Sequence, residues 1–208
     1  MRNIISILLL ALTLCAMSCH DDKEETQEIK TTRTVLIYMA GENNLTAQSG
    51  IRFLHNDLLE IIEGSKQLAD DQRLLVFVDS LNTDSQQASN PYIIEVHGGN
   101  TSELYKFDKE FYSSEPVRFK QIVEWAFTNA PAESYGLVLW GHASGWAIDS
   151  DVFASRRAYG LDNGSDANDS RGDRWMNIPQ MAQMLSESTT RRSAPRNVCV
   201  SLRSQWKS

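Results

Sequence analysis

The segment 135–146, which reads YGLVLWGHASGW, constrains the fold of this chain more than any other part of it. Its apolar run at 137–140 is typical of a strand that is buried on both faces, as in a parallel sheet. The run stops at a histidine, His142, which has glycines on both sides at positions 141 and 145. Open α/β sheets place their chemistry at the carboxyl ends of strands, and imidazole transfers protons near neutral pH. We therefore predict that His142 is a catalytic residue at the edge of a parallel sheet.

Apolar runs and helical periodicity predict the rest of the domain. Strands are expected at 35–40 and 74–78, a hairpin at 92–96 and 103–107, and helices at 51–62, 117–127 and 178–185. This order implies an α/β fold whose sheet is mostly parallel, with helices on both faces and an antiparallel pair at one side. The last helix follows Asn177, and Gln180 completes a capping-box spacing. The polar, aperiodic residues 149–174 predict a long loop.

The N-terminal residues have the features of an export leader followed by a tether. Arg2 and the short apolar run at 4–14 predict a signal peptide over residues 1–19. Small Ser18 precedes Cys19, as in bacterial lipoproteins, so we expect lipid to be attached at Cys19. Ala16 stands where such proteins usually have leucine, and the alternative is cleavage by ordinary signal peptidase. The acidic run after Cys19 resembles the signals that send lipoproteins of the Bacteroidetes to the cell surface. Residues 20–33 are then a tether from the outer membrane, and the domain occupies residues 34–208.

The cysteines argue against a disulfide-stabilised domain, and the net charge argues against a nucleic-acid-binding protein. Cys15 belongs to the predicted signal peptide and Cys19 to the lipid anchor, which leaves Cys199 as the last of the three cysteines. The mature chain therefore has no intramolecular disulfide, and Cys199 is either a reactive thiol or an incidental one. The net charge of −7, with no basic patch to offset it, argues against nucleic acid as a partner.

Three segments together resemble the clostripain family of cysteine peptidases, which are relatives of caspases, gingipains and legumains. The segments are TVLIYMAGENNL at 34–45, LVLWGHASGW at 137–146, and the stretch from YG at 159 to WMNIP at 175–179. The resemblance implies a caspase-like α/β/α sandwich that is incomplete at its C-terminus. It also implies hydrolysis of peptide or protein substrates after arginine or lysine.

The resemblance also implies a catalytic pair. His142 corresponds to the general base of the family, and Cys199, which follows 57 residues later, is the candidate nucleophile. A thiol activated by imidazole attacks the peptide carbonyl, and the imidazole then protonates the departing amine. Backbone amides near Gly141 and Ala143 are candidates for stabilising the oxyanion.

The segment after the histidine contains two further candidate sites. Trp146 is a candidate wall of the substrate cleft. Enzymes of this family mature by cutting themselves after a basic residue in this region, so Arg156 or Arg157 is a candidate self-processing site. No cofactor is required, although some family members depend on calcium. Loose calcium ligands of the right chemistry, without the spacing of an EF-hand, are Asp162, Asp166, Asn168 and Asp169.

Two interpretations of the C-terminal residues stay open. In the first, Cys199 is the true nucleophile and the chain is truncated soon after it. In the second, the sequence leaves the register of its family near Ser188 and Cys199 is a coincidence. Both predict weak or absent activity for this chain alone, unless another polypeptide completes the sheet. The alternative function is a non-catalytic surface lipoprotein that binds peptides or another protein.

Overall fold

The computed structural model of the chain describes residues 31–46, 50, 52–85, 87–143, 158–163, 174–189 and 198–204. The predicted signal peptide, Cys19 and most of the predicted tether lie outside these residues. In chain order the elements are β1 (Arg33–Gly41), α1 (Phe53–Gly64), a 3-10 turn (Ser65–Gln67), β2 (Gln72–Ser80), β3 (Tyr92–His97), β4 (Asn100–Lys106), α2 (Pro116–Asn129), β5 (Ser134–Gly141), β6 (Ala158–Asp162), β7 (Arg174–Asn177), α3 (Ile178–Thr189) and β8 (Val198–Ser204).

Six strands form the central sheet, in the order β4-β3-β2-β1-β5-β8. Strands β2, β1, β5 and β8 run parallel to one another, and β3 and β4 add an antiparallel hairpin at one edge. The predicted mostly parallel sheet with an antiparallel pair at one side is confirmed. Strands β6 and β7 form a separate antiparallel pair.

Helices cover both faces of the sheet. Side chains alternate between the faces of a strand, so Tyr38 faces α2 and α3 while its neighbour Met39 faces α1. The indole Nε1 of Trp140 donates a hydrogen bond of 2.6 Å to Asp57 and holds α1 against β5. The result is the predicted α/β/α sandwich. Among the described residues, no helix has the length and apolarity needed to cross a membrane.

The structure differs from the sequence prediction in the polar segment 149–174. Part of this segment, Ala158–Asp162, forms β6 and pairs with β7, so the prediction of one continuous loop is wrong there. Tertiary contacts, rather than local pattern, make this piece a strand, since Tyr159 bridges Ala143 beside the central sheet. The last helix begins directly after Asn177, as predicted, but the capping hydrogen bond is not formed, because the buried Oδ1 of Asn177 has no hydrogen-bond partner among the residues that the structure describes.

Candidate functional site

The carboxyl ends of β1, β2 and β5 lie side by side at one edge of the sheet. The parallel register sets Gly41 of β1 beside Ser80 of β2, and it sets Ala40 beside Gly141 of β5. His142 follows Gly141 directly, so its position at this edge is the predicted one. Its side chain is buried, with 8% of the residue exposed.

The side chain of Asn44, in the turn after β1, holds the imidazole of His142. The ring atom Nε2 lies 2.7 Å from the amide oxygen Oδ1 of Asn44. An amide oxygen only accepts hydrogen bonds, so with this oxygen facing the ring Nε2 is the donor. The other ring nitrogen, Nδ1, is then the basic one. The sequence analysis missed Asn44, although a polar residue just after the strand next to β5 is the signal that points to it.

Strand β6 holds the main chain around His142. The amide of Gly160 donates a hydrogen bond of 2.8 Å to the carbonyl oxygen of His142. The hydroxyl of Tyr159 lies 2.7 Å from the carbonyl oxygen of Tyr38 and 2.9 Å from that of Trp140. Burial raises the pKa of Tyr159 well above its usual value, so the phenol stays neutral and donates its proton to this pair. These bonds fix β6 across the ends of β1 and β5.

Three buried carboxylates form a second cluster at the same edge. Glu42, Asp79 and Asp162 are 1%, 0% and 0% exposed, and one oxygen from each lies within 4.8 Å of the others. An oxygen of Asp162 accepts hydrogen bonds from the amide of Ser113 at 2.7 Å and from its hydroxyl at 3.2 Å. In contrast, neither carboxylate oxygen of Asp79 has a hydrogen-bond partner among the described residues.

The surroundings of Asp79 disfavour its negative charge. Burial raises the pKa of the Asp79 carboxyl well above its usual range, and the neighbouring charges of Asp162 and Glu42 raise it further. The neighbouring Ser113 acts in the opposite direction and lowers the pKa of Asp79. In the structure, the hydroxyl of Ser113 donates its hydrogen bond to Asp162. Of the four predicted calcium ligands, Asp162 lies in this cluster and the other three lie outside the described residues. Glu42 and Asp79 were not among the calcium ligands predicted from the sequence.

The structure does not bring Cys199 and His142 together. Cys199 is the second residue of β8, and its partner across the sheet is Gly136 of β5. His142 lies six residues beyond Gly136 toward the carboxyl edge, which at the usual rise of a strand is a distance of about 20 Å. A thiol and an imidazole that act together must lie within hydrogen-bond reach. Cys199 is also exposed, well away from the buried histidine.

The other predicted site residues are either near the histidine or outside the described ranges. Gly141 is the last residue of β5, and Ala143 makes an isolated bridge with Tyr159. Their amides therefore flank His142, and their role at an oxyanion stays a prediction. Outside the described residues lie Trp146, Arg156 and Arg157.

The contact between Asn44 and His142 leads to a testable prediction. In the parent protein, nitrogen chemical shifts of the imidazole should show mainly the tautomer with its proton on Nε2. Replacing Asn44 by alanine removes the acceptor and should give a mixture of both neutral tautomers. The control is Asn56→Ala, which removes an exposed amide from α1. If the tautomer populations in Asn44→Ala equal those of the parent, Asn44 does not orient this ring.

Residues 37–193 match the Clostripain family. A secreted C11 cysteine protease from Bacteroides thetaiotaomicron, solved in complex with an irreversible peptide inhibitor, is 30% identical with a TM-score of 0.58, over 82% of this chain and 42% of that chain. No match was found among curated proteins.

Two other solved structures are similar to this chain. The secreted C11 cysteine protease "iotapain" from Bacteroides thetaiotaomicron is 17% identical with a TM-score of 0.50, over 83% of this chain and 46% of that chain, and it shares the fold. An inactive zymogen C11 protease from Parabacteroides distasonis is 29% identical with a TM-score of 0.47, over 59% of this chain and 34% of that chain.

The region that matches the family includes most of the sheet and the whole segment around His142. It ends at residue 193, so it does not include Cys199. The chain spans less than half the length of each of these three solved proteases. The match covers more than half of the chain, and the parallel sheet with helices on both faces agrees with it. This chain belongs to the clostripain family.

Proposed function

We propose that this chain is a cysteine endopeptidase of the clostripain type in which His142 is the general base. The setting of His142 is the observation that carries the proposal. The residue follows a buried strand at the carboxyl edge of the sheet, and Nε2 is bonded to the amide oxygen of Asn44. An imidazole fixed in this way has one nitrogen in a structural role, and in this proposal Nδ1 takes and returns the proton.

In this proposal Nδ1 of His142 removes the proton from a cysteine thiol. The thiolate attacks the carbonyl carbon of the scissile peptide bond, and amides near Gly141 and Ala143 stabilise the oxyanion. The bond from carbon to nitrogen then breaks, and His142 gives its proton to the departing amine. Water, deprotonated by the same imidazole, hydrolyses the thioester and regenerates the thiol.

Whether Cys199 is the nucleophile decides between an active peptidase and a non-catalytic protein. Cys199 is the sequence candidate, but β8 would have to slide by about 20 Å along β5 before its thiol reached His142. The observed register therefore favours the alternative in which Cys199 is incidental. In that case the chain keeps the histidine side of the site and acts as a non-catalytic lipoprotein that binds peptides.

The location and specificity of the protein are part of the same proposal. The similar protease from Bacteroides thetaiotaomicron is described as secreted, which supports export of this chain. The leader-like residues 1–19 support the same conclusion, with lipid at Cys19 anchoring the protein to the outer membrane. Preference for arginine or lysine in the substrate follows from the family resemblance, as does self-processing at Arg156 or Arg157.

A labelling experiment on residues 20–208, in which Cys199 is the only cysteine, tests the proposal. One thiol-reactive probe carries an arginine side chain, a matched probe lacks it, and intact mass reports the labelling rate. If Cys199 is the nucleophile, the arginine probe should react faster than the matched probe, and His142→Ala should slow it by about 10²–10⁴-fold. The control variant is His55→Ala, which removes an exposed imidazole from α1.

The opposite labelling result would support the alternative function, a non-catalytic protein that binds peptides. Slow labelling that is equal for both probes and unaffected by His142→Ala would show that Cys199 is an ordinary thiol. Calorimetric titration with an arginine-containing peptide then measures whether the chain still binds substrates. Binding that is weakened by His142→Ala would support a peptide-binding protein, whereas no binding would remove that alternative too.

A further inference from the structure

We propose that Asn43 is a positioning residue, which closes a ring of bonded residues around His142. Asn43 lies in the turn after β1, directly before Asn44, and it is 0% exposed. It acts by joining this turn to β6 rather than on the imidazole itself. The importance of the ring for catalysis rests on the proposed function of His142, whereas its geometry does not.

The side chain of Asn43 uses both ends of its amide. Its Nδ2 group donates a hydrogen bond of 2.6 Å to the carbonyl oxygen of Leu161 in β6, and one of 3.3 Å to that of Ala40 in β1. Its Oδ1 atom accepts a hydrogen bond of 2.8 Å from the backbone amide of Leu45. These bonds fix the direction of the amide, since reversing it would set its oxygen against two carbonyl oxygens. Asn43 therefore bonds to its own turn through its oxygen and to β6 through its nitrogen.

The bond from Asn43 to Leu161 connects the two supports of His142. The first support is the side chain of Asn44, whose Oδ1 lies 2.7 Å from Nε2 of the imidazole. The second is the backbone amide of Gly160, which donates a hydrogen bond of 2.8 Å to the carbonyl oxygen of His142. Because Asn43 precedes Asn44 and Leu161 follows Gly160, the five residues form a closed ring. The ring holds the side chain and the main chain of the histidine in one fixed relation.

Gly160 lets β6 approach β1 closely enough for the ring to close. Its φ is +70°, in the left-handed region that disfavours a side chain. A Cβ at this position would lie 3.3 Å from the Cβ of Ala40 on β1. The ring is built from the segments 34–45, 137–146 and 159–179, which are the three that resemble the clostripain family.

A simpler role for Asn43 would be confined to its own turn. Asparagine often bonds to the backbone two residues later, as Asn43 does with Leu45, and that bond shapes a turn without any link to β6. The link to Leu161 spans 118 residues and is the shorter of the two bonds that Nδ2 donates, which favours the ring. Serine at position 43 separates the two roles. Its hydroxyl oxygen can still accept from Leu45, but its side chain is too short to reach Leu161.

Imidazole nitrogen shifts and hydrogen exchange of the Gly160 amide test the ring. Asn43→Ala and Asn43→Ser should both change His142 from mainly one tautomer to a mixture. Both variants should also speed exchange of the Gly160 amide by roughly 2- to 10-fold, the factor that corresponds to one hydrogen bond. The matched control is Thr34→Ala, at the opposite end of β1. It removes a buried hydroxyl that donates to the carbonyl oxygen of Ala130, so it should lower stability and leave both readouts unchanged.

A second pair of variants interrupts the ring at β6. Gly160→Ala should also give a mixture of tautomers. Gly98→Ala should not, although Gly98 has a similar φ of +59°, because it lies in the turn between β3 and β4 and a Cβ there meets no atom within 4 Å.

The parent protein provides a test that needs no variant. A scalar coupling across the hydrogen bond should connect Nδ2 of Asn43 with the carbonyl carbon of Leu161. No such coupling would overturn the proposal, as would parent-like tautomers and exchange rates in Asn43→Ser, or equal changes in Thr34→Ala. None of these readouts involves peptide hydrolysis, so their failure is distinct from a failure of the labelling experiment.

Discussion

A Tyr159→Ala variant is expected to lose about 3–5 kcal/mol of unfolding free energy, the usual cost of removing a large aromatic side chain from a core. Tyr159 is 1% exposed and lies in the main hydrophobic cluster. Its hydroxyl is also the donor to the carbonyl oxygens of Tyr38 and Trp140, at the ends of β1 and β5. The variant therefore loses packing and leaves two buried acceptors without their donor.

Two further variants separate the contributions of ring and hydroxyl. Tyr159→Phe keeps the ring and should cost about 1–3 kcal/mol, the penalty for unsatisfied buried groups. Tyr105→Ala removes a tyrosine that is 42% exposed and should cost much less than Tyr159→Ala. Urea denaturation followed by circular dichroism measures all three. Equal losses for Tyr159→Ala and Tyr105→Ala would show that β6 is not anchored through Tyr159.

Gly141→Ala is expected to destabilise the protein and to disturb His142. Gly141 has a φ of +151°, a conformation that residues with a side chain rarely adopt. A Cβ at this position would lie 2.8 Å from the carbonyl oxygen of Ala40 on β1. Backbone strain alone costs about 1–3 kcal/mol, and the close contact adds to it. Relief of that contact would move the residue that directly precedes the histidine.

The matched control for this variant is Gly64→Ala, at the end of α1. Gly64 has a helical φ of −62°, and a Cβ there meets no atom within 4 Å. That substitution should be neutral or stabilising by up to about 1 kcal/mol. Chemical denaturation gives the stabilities, and imidazole nitrogen shifts show whether His142 keeps its tautomer. A Gly141→Ala protein with the stability and tautomer of the parent would mean that the glycine is not required there.

The parts of the fold that the sequence predicted are those with strong local patterns. The apolar runs of β1, β2 and β5 identify buried parallel strands, and the position of His142 follows from the end of such a run. Strand β6 was missed because its residues have no alternation of their own. It is a strand because Tyr159 and Gly160 bond to residues that are distant in sequence.

The candidate site was predicted only in part, because contacts between residues that are distant in sequence also decide which side chains meet there. Separation along the chain made Cys199 a reasonable partner for His142, but strand register decides which residues meet, and the register pairs Cys199 with Gly136. Asn44 follows β1 and Asp79 lies near the end of β2, and the pattern of a single strand does not show which strand ends are neighbours. Joining the ends of adjacent parallel strands would have brought both residues to the edge that holds His142.

The central position of β1 has a consequence for how the chain folds. The side chain of Arg33, at the start of β1, donates a hydrogen bond to Ser134 of β5, which lies 101 residues later. One of the two neighbours of β1 in the sheet is therefore distant in sequence. Contacts of such long range slow folding because a large loop must close before they form. During synthesis, β1 and β2 therefore emerge well before the strand that completes their sheet. Until β5 has been made, β1 can pair with β2 along one edge only, and the open edge is where the chain is most prone to aggregate.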